Sequence, residues 1–343
     1  MNNSYLEDFL KYYKSVKESF VKEQDFVNDL FLRNDNPNIK ENIKYLCENN
    51  KNGKYIRGTL IMLGNYLYGN KADAKMLAFA YELFETSILI HDDIIDNGLL
   101  RRNLKTIPLR VEDVYKDNSL EFGKNIALCD GIYGYYLANN MIIDNYGDSK
   151  YLKDILHLYN SIVLKTVEGE ILDVTLPFKC QKGLYYPSEE DIMEIYIDKT
   201  AWYTIIGPFL LGMMLNGMKA SKKLIDILKN IGVAFQIKDD ILGLYADNLD
   251  KTLNDVMEYK QTILYSYAIN TDKKDEVLKY YGTDNGKKIK ELFKECGAYD
   301  YAINKLDFIY KETSKNIDGI SDLTMEGKNI LKGLLEFIIT REK

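Results

Sequence analysis

The sequence predicts an all-α fold, and three observations support this prediction. Most of the 343-residue chain carries apolar residues at helical spacing, with turn-forming residues between the segments. Only 5 prolines are present, so long helices meet few interruptions. No stretch shows a strand–turn–strand pattern, and no low-complexity linker divides the chain. We therefore predict one large helical domain over residues 1–343.

Seven turn-forming segments separate the predicted helices. They are rich in Gly, Pro, Asn, Asp and Ser, which favour turns over helix interiors. The segments are residues 33–38, 49–53, 98–108, 146–149, 181–188, 247–254 and 282–286.

Composition argues against several classes of protein. With 45 basic and 52 acidic residues the net charge is −7, so we expect no general affinity for nucleic acid. The longest apolar stretch, residues 205–215, falls short of the roughly 20 residues that span a bilayer. We expect no signal peptide, because the N-terminus lacks its pattern. Cys47, Cys129, Cys180 and Cys296 have no CxxC spacing and suit a cytoplasmic location.

An acidic segment ends a strongly apolar run, YELFETSILIHDDIID, at residues 81–96. Asp92 and Asp96 are four residues apart and therefore share one helix face, and Gly98 is a suitable helix stop. Carboxylates at a helix C-terminus face the negative end of the helix dipole, so a cation should lie nearby. Hard oxygen ligands on one face suit Mg²⁺.

A second acidic segment, GVAFQIKDDILGLYAD at residues 232–247, has the same character. Gln236 precedes Asp239 and Asp240 by three and four residues, which places the three side chains on neighbouring faces, with Lys238 beside them. Both clusters follow apolar runs, an unusual place for solvated charge. A solvated helix end gives a similar pattern, so from these features alone both interpretations remain open.

Seven short motifs, found in order, make the sequence from about residue 52 to 343 resemble the trans-prenyltransferase (polyprenyl synthetase) family. Each motif is short, but their shared order makes coincidence implausible. The motifs are Gly53-Lys54-Tyr55-Ile56-Arg57 (GKxxR), residues 92–96 (DDxxD), Arg101-Arg102, residues 169–174 (similar to GQxxDL), Lys199-Thr200-Ala201 (KTA), residues 235–240 (the second aspartate-rich motif), and the lysines Lys251 and Lys260.

The resemblance implies a fold, a reaction and partners. The fold would be a single large helical bundle of the isoprenoid synthase type with a central active-site cavity. The enzyme would condense isopentenyl diphosphate with allylic diphosphates, using Mg²⁺ (three ions with bound diphosphate) to assist ionisation. Relatives are commonly homodimers, so the resemblance also implies a homodimer.

The resemblance further assigns roles to single residues. Arg offers a flat fork of donors and Lys a compact charge, and both suit phosphate oxygens. Isopentenyl diphosphate would be held by Gly53, Lys54, Arg57 and Arg102, with Glu85 nearby. The allylic diphosphate would be held by Arg101, Lys199, Lys251 and Lys260. Mg²⁺ would be bound by Asp92, Asp96 and Asp239, with Asp93 and Asp240 as supporting carboxylates. Oxygen dipoles from Thr200, Gln236 and the Lys199 backbone would face the allylic cation.

Three departures from the family pattern stand out. Gly243 occupies the place of a third aspartate, and Glu170 replaces the usual Gln. Glu85, seven residues before Asp92, stands where relatives place His or Gln. A carboxylate near a diphosphate is repulsive unless it is protonated or paired with a cation such as Arg57.

Two alternatives from other functional classes remain open, and Glu85 favours the first of them. One is a terpene cyclase, which ionises a diphosphate on the same fold without a second substrate. The other is a non-catalytic subunit of a heteromeric synthase, although such subunits usually lose aspartates that are present here.

Residues upstream of Asp92 suggest the product length. In the family the growing tail runs beside the helix that carries the first aspartates. Ser87 is small and would let a tail pass, whereas Phe84 and Tyr81 follow at steps of three residues, about 4.5 Å each. We therefore expect Phe84 to limit the product to geranylgeranyl diphosphate.

Overall fold

The structure, a computed structural model, describes residues 5–31, 35–51, 53–69, 71–116, 120–246 and 254–342. Contacts between Cα atoms group the chain into two units. Unit 1 comprises Met1–Tyr12, Leu158–Gly207 and Ala220–Lys343, and unit 2 comprises Tyr13–His157 and Pro208–Lys219. The single domain over residues 1–343 stays a prediction.

Helices dominate the described residues, which confirms the all-α prediction. The elements, in chain order, are α1 (Tyr5–Phe31), α2 (Pro37–Asn49), α3 (Ile56–Leu67), α4 (Lys75–Ile95), β1 (Leu100–Arg101), β2 (Leu104–Lys105), α5 (Ile107–Tyr115), α6 (Glu121–Tyr146), α7 (Leu152–Gln181), α8 (Glu189–Ile195), a π-helix (Tyr196–Ile206), α9 (Gly207–Met214), α10 (Lys222–Tyr245), α11 (Asn254–Met257), α12 (Ile263–Ala268), α13 (Lys274–Tyr280), α14 (Gly286–Glu295), α15 (Ala298–Asp318) and α16 (Met325–Thr340).

The predicted turns coincide with helix boundaries to within two residues, except that residues 33–34, 52 and 247–253 lie outside the described ranges. Local capping explains several helix starts. Ser188 and Asp191 form a capping box at α8. Ser221 and Thr324 each accept a backbone hydrogen bond in the first turns of α10 and α16.

A two-stranded hairpin follows α4, and here the expectation that no strand pairs with another was wrong. Leu100 pairs with Lys105 and Arg101 with Leu104. Arg102 and Asn103 form the two-residue loop, with φ values of 52° and 66°. Consecutive left-handed residues are what a tight hairpin loop needs, but the sequence lacks the Asn-Gly or Asp-Gly pair that usually signals one.

In unit 2, α4 packs closely along α6. Two glycines of α6 allow this approach. A Cβ atom on Gly131 would collide with the His91 ring, and one on Gly134 would collide with the Ser87 hydroxyl. Nearly all of α4 before residue 88 is buried, so the first acidic motif ends a core helix.

In unit 1, α10 packs against the π-helix, with α15 and α16 also in contact with α10. Gly232 of α10 lies against Ala201, where an added Cβ would collide. Gly169 of α7 lies equally close to the backbone of Lys199. Two close approaches therefore fix the π-helical segment that carries the KTA motif, and π-helical turns are frequent at functional sites.

Candidate active site

The acidic end of α4 is paired with Arg101 from β1. The guanidinium donates to Asp92 Oδ2 at 2.9 Å and to Asp93 Oδ1 at 2.6 and 2.8 Å. Asp96 is the C-cap residue that follows Ile95, the last residue of α4. The cation expected at this helix end is thus present, and it stabilises carboxylates that the helix dipole disfavours.

Burial separates the aspartates of this motif into two kinds. The Asp93 side chain is 3% exposed, and burial raises its pKa although Arg101 opposes the shift. The Asp92 side chain is 20% exposed. Asp92 can therefore reach an external ligand, whereas Asp93 orients Arg101.

Arg57 and Arg102 converge on Glu85. Arg57 Nη1 lies 2.7 Å and Arg102 Nη2 lies 3.3 Å from Glu85 Oε1. Arg102 also donates to the Asn49 carbonyl at 2.6 Å. Gly53 lies against the Arg102 guanidinium, where a Cβ would stand 3.4 Å from it.

The pairing resolves the electrostatic problem posed by Glu85. Burial acts to raise the pKa of Glu85, but the charges of Arg57 and Arg102 outweigh burial and lower it. Glu85 is therefore ionised beside two cations. Lys54 is exposed, and its carbonyl oxygen accepts a hydrogen bond from the Tyr13 hydroxyl at 2.5 Å.

The second acidic segment lies on α10, in unit 1. Thr200 of the π-helix donates to Gln236 Oε1 at 2.6 Å, and the Gln236 amide donates to Asp240 Oδ1 at 2.9 Å. The Tyr196 hydroxyl donates to the other Asp240 oxygen. Burial raises the pKa of Asp240 well above its usual value. Asp240 thus anchors Gln236 and Tyr196, as a supporting carboxylate would.

Asp239 is more open and pairs with an arginine near the C-terminus. Its side chain is 42% exposed. Arg341 donates to Asp239 Oδ1 at 2.5 Å and to the Phe235 carbonyl at 2.9 Å, and its guanidinium lies 3.9 Å from the centroid of the Phe235 ring.

Lysines of the allylic-site prediction meet on Asp173. Lys199 Nζ lies 2.5 Å from Asp173 Oδ2 and 2.7 Å from Glu170, and Lys260 Nζ lies 3.2 Å from the same Asp173 oxygen. Burial acts to raise the pKa of Asp173, but the two lysines lower it. Lys251, the remaining lysine of this set, lies outside the described residues.

The predicted residues thus form groups within each unit. Unit 2 brings together Asp92, Asp93 and Arg101, and separately Gly53, Arg57, Glu85 and Arg102. Unit 1 brings together Lys199 and Lys260, and separately Thr200, Gln236 and Asp240.

The donor atoms fit a Mg²⁺ ion. Asp92 and Asp96 in unit 2, and separately Asp239 in unit 1, offer partly exposed carboxylates, and Mg²⁺ prefers oxygen ligands that it supplements with phosphate and water. Within the described ranges, no three or more His, Cys, Asp and Glu side chains are grouped so as to hold an ion by themselves.

Sequence analysis did not identify three residues that contact the predicted site residues or their neighbours. Glu82 accepts a hydrogen bond from the Gly58 N–H at 2.7 Å, at the start of α3. Tyr196 is one of 28 tyrosines, so nothing in the sequence marks it. Arg341 lies 102 residues from its partner Asp239, and no local pattern reveals such a contact.

Comparison with known proteins decides the family. The polyprenyl synthetase family model matches residues 36–296, which is most of the chain. The chain belongs to the polyprenyl synthetase family. Membership confirms the resemblance drawn from the motifs and makes the chain a prenyltransferase.

Relatives of this polyprenyl synthetase include enzymes with different products. A geranylgeranyl diphosphate synthase of Sulfolobus acidocaldarius is 26% identical, with 92% of this chain and 96% of the relative covered. Farnesyl pyrophosphate synthase 1, mitochondrial, of Arabidopsis thaliana is 25% identical, with 98% and 87% covered. Prenyl diphosphate synthase activity is therefore supported at the level of the family.

The fold of this polyprenyl synthetase also matches solved structures. A geranylgeranyl pyrophosphate synthase from Corynebacterium glutamicum, complexed with isoprenyl diphosphate and magnesium, superposes with a TM-score of 0.83 at 22% identity, covering 97% of this chain and 99% of that one. A polyprenyl synthase from Caulobacter crescentus, complexed with calcium and isoprenyl diphosphate, gives a TM-score of 0.78 at 20% identity, covering 97% and 98%.

Proposed function

We propose that this polyprenyl synthetase condenses isopentenyl diphosphate with an allylic diphosphate and releases geranylgeranyl diphosphate. The convergence of Arg57 and Arg102 carries the proposal. They come from distant segments and point their guanidinium groups at one position, which suits a second, diphosphate-bearing substrate. A terpene cyclase has no use for a second diphosphate site. Glu85 had favoured a cyclase because its charge would repel a diphosphate, but its pairing with the two arginines removes that argument.

The residues of the allylic site would act on the leaving diphosphate. Arg101, Lys199 and Lys260, together with Lys251, would neutralise its oxygens. Asp92, Asp96 and Asp239 would hold three Mg²⁺ ions against it. When bound, Mg²⁺ supplies positive charge that stabilises the departing diphosphate.

Neutral oxygens would stabilise the allylic cation. The hydrogen bonds of Gln236 to Thr200 and Asp240 fix its amide, so its dipole needs no reorientation during the reaction. The isopentenyl double bond would then attack, and the proton lost from that carbon skeleton would pass to the departing diphosphate. No protein nucleophile is required.

Aromatic packing supports a geranylgeranyl product. Phe84 is fully buried, with its ring 5.1 Å from Tyr81 and 5.5 Å from Tyr135 of α6. Ser87, one turn closer to the aspartates, contributes only a hydroxyl. A tail passing Ser87 would therefore stop at the aromatic cluster formed by Tyr81, Phe84 and Tyr135.

Exposed apolar faces on two helices support a homodimer. The exposed apolar residues on α7 recur at spacings of three and four residues, which is the pattern of a helix–helix seam. The seam consists of Leu164, Val167, Ile171, Val174 and Phe178. On α6, exposed residues include Leu128, Ile132 and Tyr136. We propose that a second copy of the chain covers these faces.

The proposed compartment is the cytoplasm. Cys47, Cys129, Cys180 and Cys296 are free thiols, which suits reducing surroundings.

Isotope incorporation tests the proposed reaction. The purified chain is incubated with radiolabelled isopentenyl diphosphate, each of three allylic diphosphates (five, ten and fifteen carbons), and Mg²⁺. We expect a labelled diphosphate whose dephosphorylated product is a twenty-carbon alcohol. Conversion of an allylic substrate alone to a hydrocarbon would identify a cyclase instead, and no conversion would favour a non-catalytic subunit.

A further inference from the structure

Two glutamates one turn apart on α4 are buried together. Glu82 is 2% exposed and Glu85 is 8% exposed. Glu82 Oε1 accepts the Gly58 N–H, and the N-cap residue of α3, Tyr55, makes no side-chain cap. Glu82 therefore accepts a hydrogen bond from an N–H group in the first turn of α3, where the helix itself supplies no acceptor.

The two carboxyl groups lie one helical turn apart with almost no exposure to solvent, so ionising both is unfavourable. Burial raises the pKa of Glu82 well above its usual value, with the charge of Glu85 adding to the shift. The surroundings therefore favour a negative charge on Glu85, beside the two arginines, and a neutral Glu82.

The surroundings keep Glu85 ionised. The charged and titratable groups that face the pair are Arg57 from α3, Arg102 from the hairpin and Tyr13 from α1. Burial raises the pKa of Tyr13 to about 12, so it stays neutral. The charges of Arg57 and Arg102 are the largest influences that oppose the effect of burial on Glu85.

The same arginines are the donors assigned above to isopentenyl diphosphate, so any role of Glu85 in binding that substrate rests on the proposed function. A diphosphate that takes Arg57 and Arg102 withdraws the cations from Glu85 and brings further negative charge beside it. Both changes favour the neutral form of a buried carboxyl group.

We propose that Glu85, supported by Glu82, is a positioning residue that couples the binding of isopentenyl diphosphate to the uptake of one proton. In the free protein Glu85 occupies the two guanidinium groups as an ionised carboxylate. When the diphosphate replaces it, Glu85 takes a proton from solvent, and the pair then holds two protons. By linkage, one proton taken up raises the dissociation constant up to tenfold per pH unit as pH rises.

Calorimetry counts this proton. Isopentenyl diphosphate is titrated into the full chain at about pH 8 in two buffers that differ in protonation enthalpy. The ligand's own ionisation contributes equally to every variant, so the difference between wild type and Glu85→Gln isolates Glu85. We expect about one proton fewer taken up by Glu85→Gln. We also expect Glu85→Gln to bind about tenfold more tightly at this pH, with the advantage shrinking towards lower pH.

Two variants serve as controls. Glu82→Gln should retain the proton uptake of the wild type, because Glu82 is neutral in both states and the glutamine carbonyl can still accept the Gly58 N–H. Glu48→Gln removes a Glu–Arg pair of the same 2.7 Å length, formed with Arg110, and should also leave the proton uptake unchanged.

The outcomes separate this inference from the proposed function. Equal proton uptake in wild type and Glu85→Gln, or weaker binding by Glu85→Gln, overturns the inference while the proposed function stands. A wild-type dissociation constant that is flat between about pH 7 and 8.5 overturns it without any variant. Absence of both binding heat and isotope incorporation in the wild type overturns the proposed function itself, and the inference with it.

Discussion

Arginine side chains pair with aspartates of both acidic motifs. Arg101 holds Asp92 and Asp93, and Arg341 holds Asp239. Arg101 directs two donor atoms at carboxylate oxygens and Arg341 directs one, and the planar guanidinium group of both also suits phosphate. Under the proposed function, a bound diphosphate would take the place of the carboxylate beside each arginine, and the released carboxylates would be ligands for Mg²⁺.

The metal-binding assignment predicts a large loss of activity. Asp92→Ala and Asp239→Asn should each lower turnover about 10³-fold or more at any Mg²⁺ concentration, because charge stabilisation at the leaving group is lost. The circular dichroism spectrum of both variants should match that of the wild type. In Asp92→Ala, Arg101 still pairs with Asp93, and in Asp239→Asn the asparagine carbonyl can still accept a hydrogen bond from Arg341. Asp226→Ala, an exposed aspartate on the same helix α10, is the control and should retain activity. Near-normal turnover of Asp92→Ala in the presence of EDTA would contradict the ionisation mechanism.

Lys54 offers a second test at the residue scale. Lys54→Ala should raise the KM for isopentenyl diphosphate about 10- to 150-fold, since one charged hydrogen bond is worth ~1.5–3 kcal/mol. The KM for the allylic substrate should change little. The matched control is Lys51→Ala, which lies three residues before Lys54 and removes an ion pair to Asp25. Equal effects of Lys54→Ala on both substrates would refute the assignment.

The sequence predicted the charged residues of the site better than their partners. Motifs mark Arg57 and Arg102 directly, and Glu85 was identified by its position seven residues before Asp92. Electrostatics predicted that Glu85 would be either protonated or paired with a cation such as Arg57. The raised pKa of Glu82 could not be predicted, because it depends on burial, and the carboxyl group contacts a helix start 24 residues earlier. Non-local contacts of this kind leave no periodic signal in the chain.

At the scale of elements, the helix pair α4 and α6 carries residues that bear on product length and on the pH dependence of stability. His91 stacks on Tyr135, and Phe84 lies on the same tyrosine. Gly134 meets Ser87 between these contacts. The interface therefore alternates aromatic rings with small side chains, and a change at one aromatic position opens space that its neighbours cannot fill.

Phe84→Ala should lengthen the product by at least one five-carbon unit. Removing the ring opens the aromatic cluster one helical step, about 4.5 Å, further along α4. Chromatography of dephosphorylated products measures the shift. Phe79→Ala removes a buried ring of the same helix that packs on Phe20 instead, and should leave the product length unchanged. An unchanged product distribution in Phe84→Ala would exclude Phe84 as the stop.

Asp130 of α6 makes stability depend on pH. It is 3% exposed, and among the described residues its Oδ2 atom has no hydrogen-bond partner. Burial raises its pKa to about 7, with Arg110 opposing. Because the folded state holds the proton more tightly than the unfolded state, this group's contribution is present below about pH 4 and is lost as pH rises to about 7. The loss is about 4 kcal/mol at most.

Asp130→Asn should therefore be more stable than wild type at pH 8 by up to a few kcal/mol, and the gain should vanish near pH 4. Urea unfolding at both pH values measures the difference. Asp144→Asn, on the exposed face of the same helix, should show no such pH-dependent gain. A gain that is equal at both pH values would show that ionisation of Asp130 is not its cause.

Helices were predictable because their signals are local. Apolar spacing, Ser and Thr caps and turn residues all lie within a few positions of the structure they specify. The π-helix at Tyr196–Ile206 and the hairpin at β1 and β2 were not predicted. Gly169 and Gly232, which fit against the π-helix, come from other helices, so the segment's own spacing does not reveal its wider turn.

At the scale of the whole chain, the exposed apolar residues of α7 have no role in the proposed reaction. The Leu164–Phe178 seam runs over 15 residues, about 21 Å of helix. In the described part of the chain, no helix is long and apolar enough to cross a membrane. A seam at 3-4 spacing fits the helix of another protein, and a second copy presents the same seam in a two-fold arrangement.

Leu164→Glu should convert a dimer into a monomer. In a two-fold interface the substitution appears twice, so two leucine burials worth about 2 kcal/mol each are lost and two carboxylates oppose association. The dissociation constant should rise at least about 10³-fold. Light scattering coupled to size exclusion should show the mass falling from twice 39.8 kDa to 39.8 kDa. Phe308→Glu on α15 is the control, because Phe308 is 65% exposed against 64% for Leu164 and lies outside the seam. A wild-type chain that is monomeric at micromolar concentration, or a Leu164→Glu variant that stays dimeric, would rule out this seam as the contact between copies.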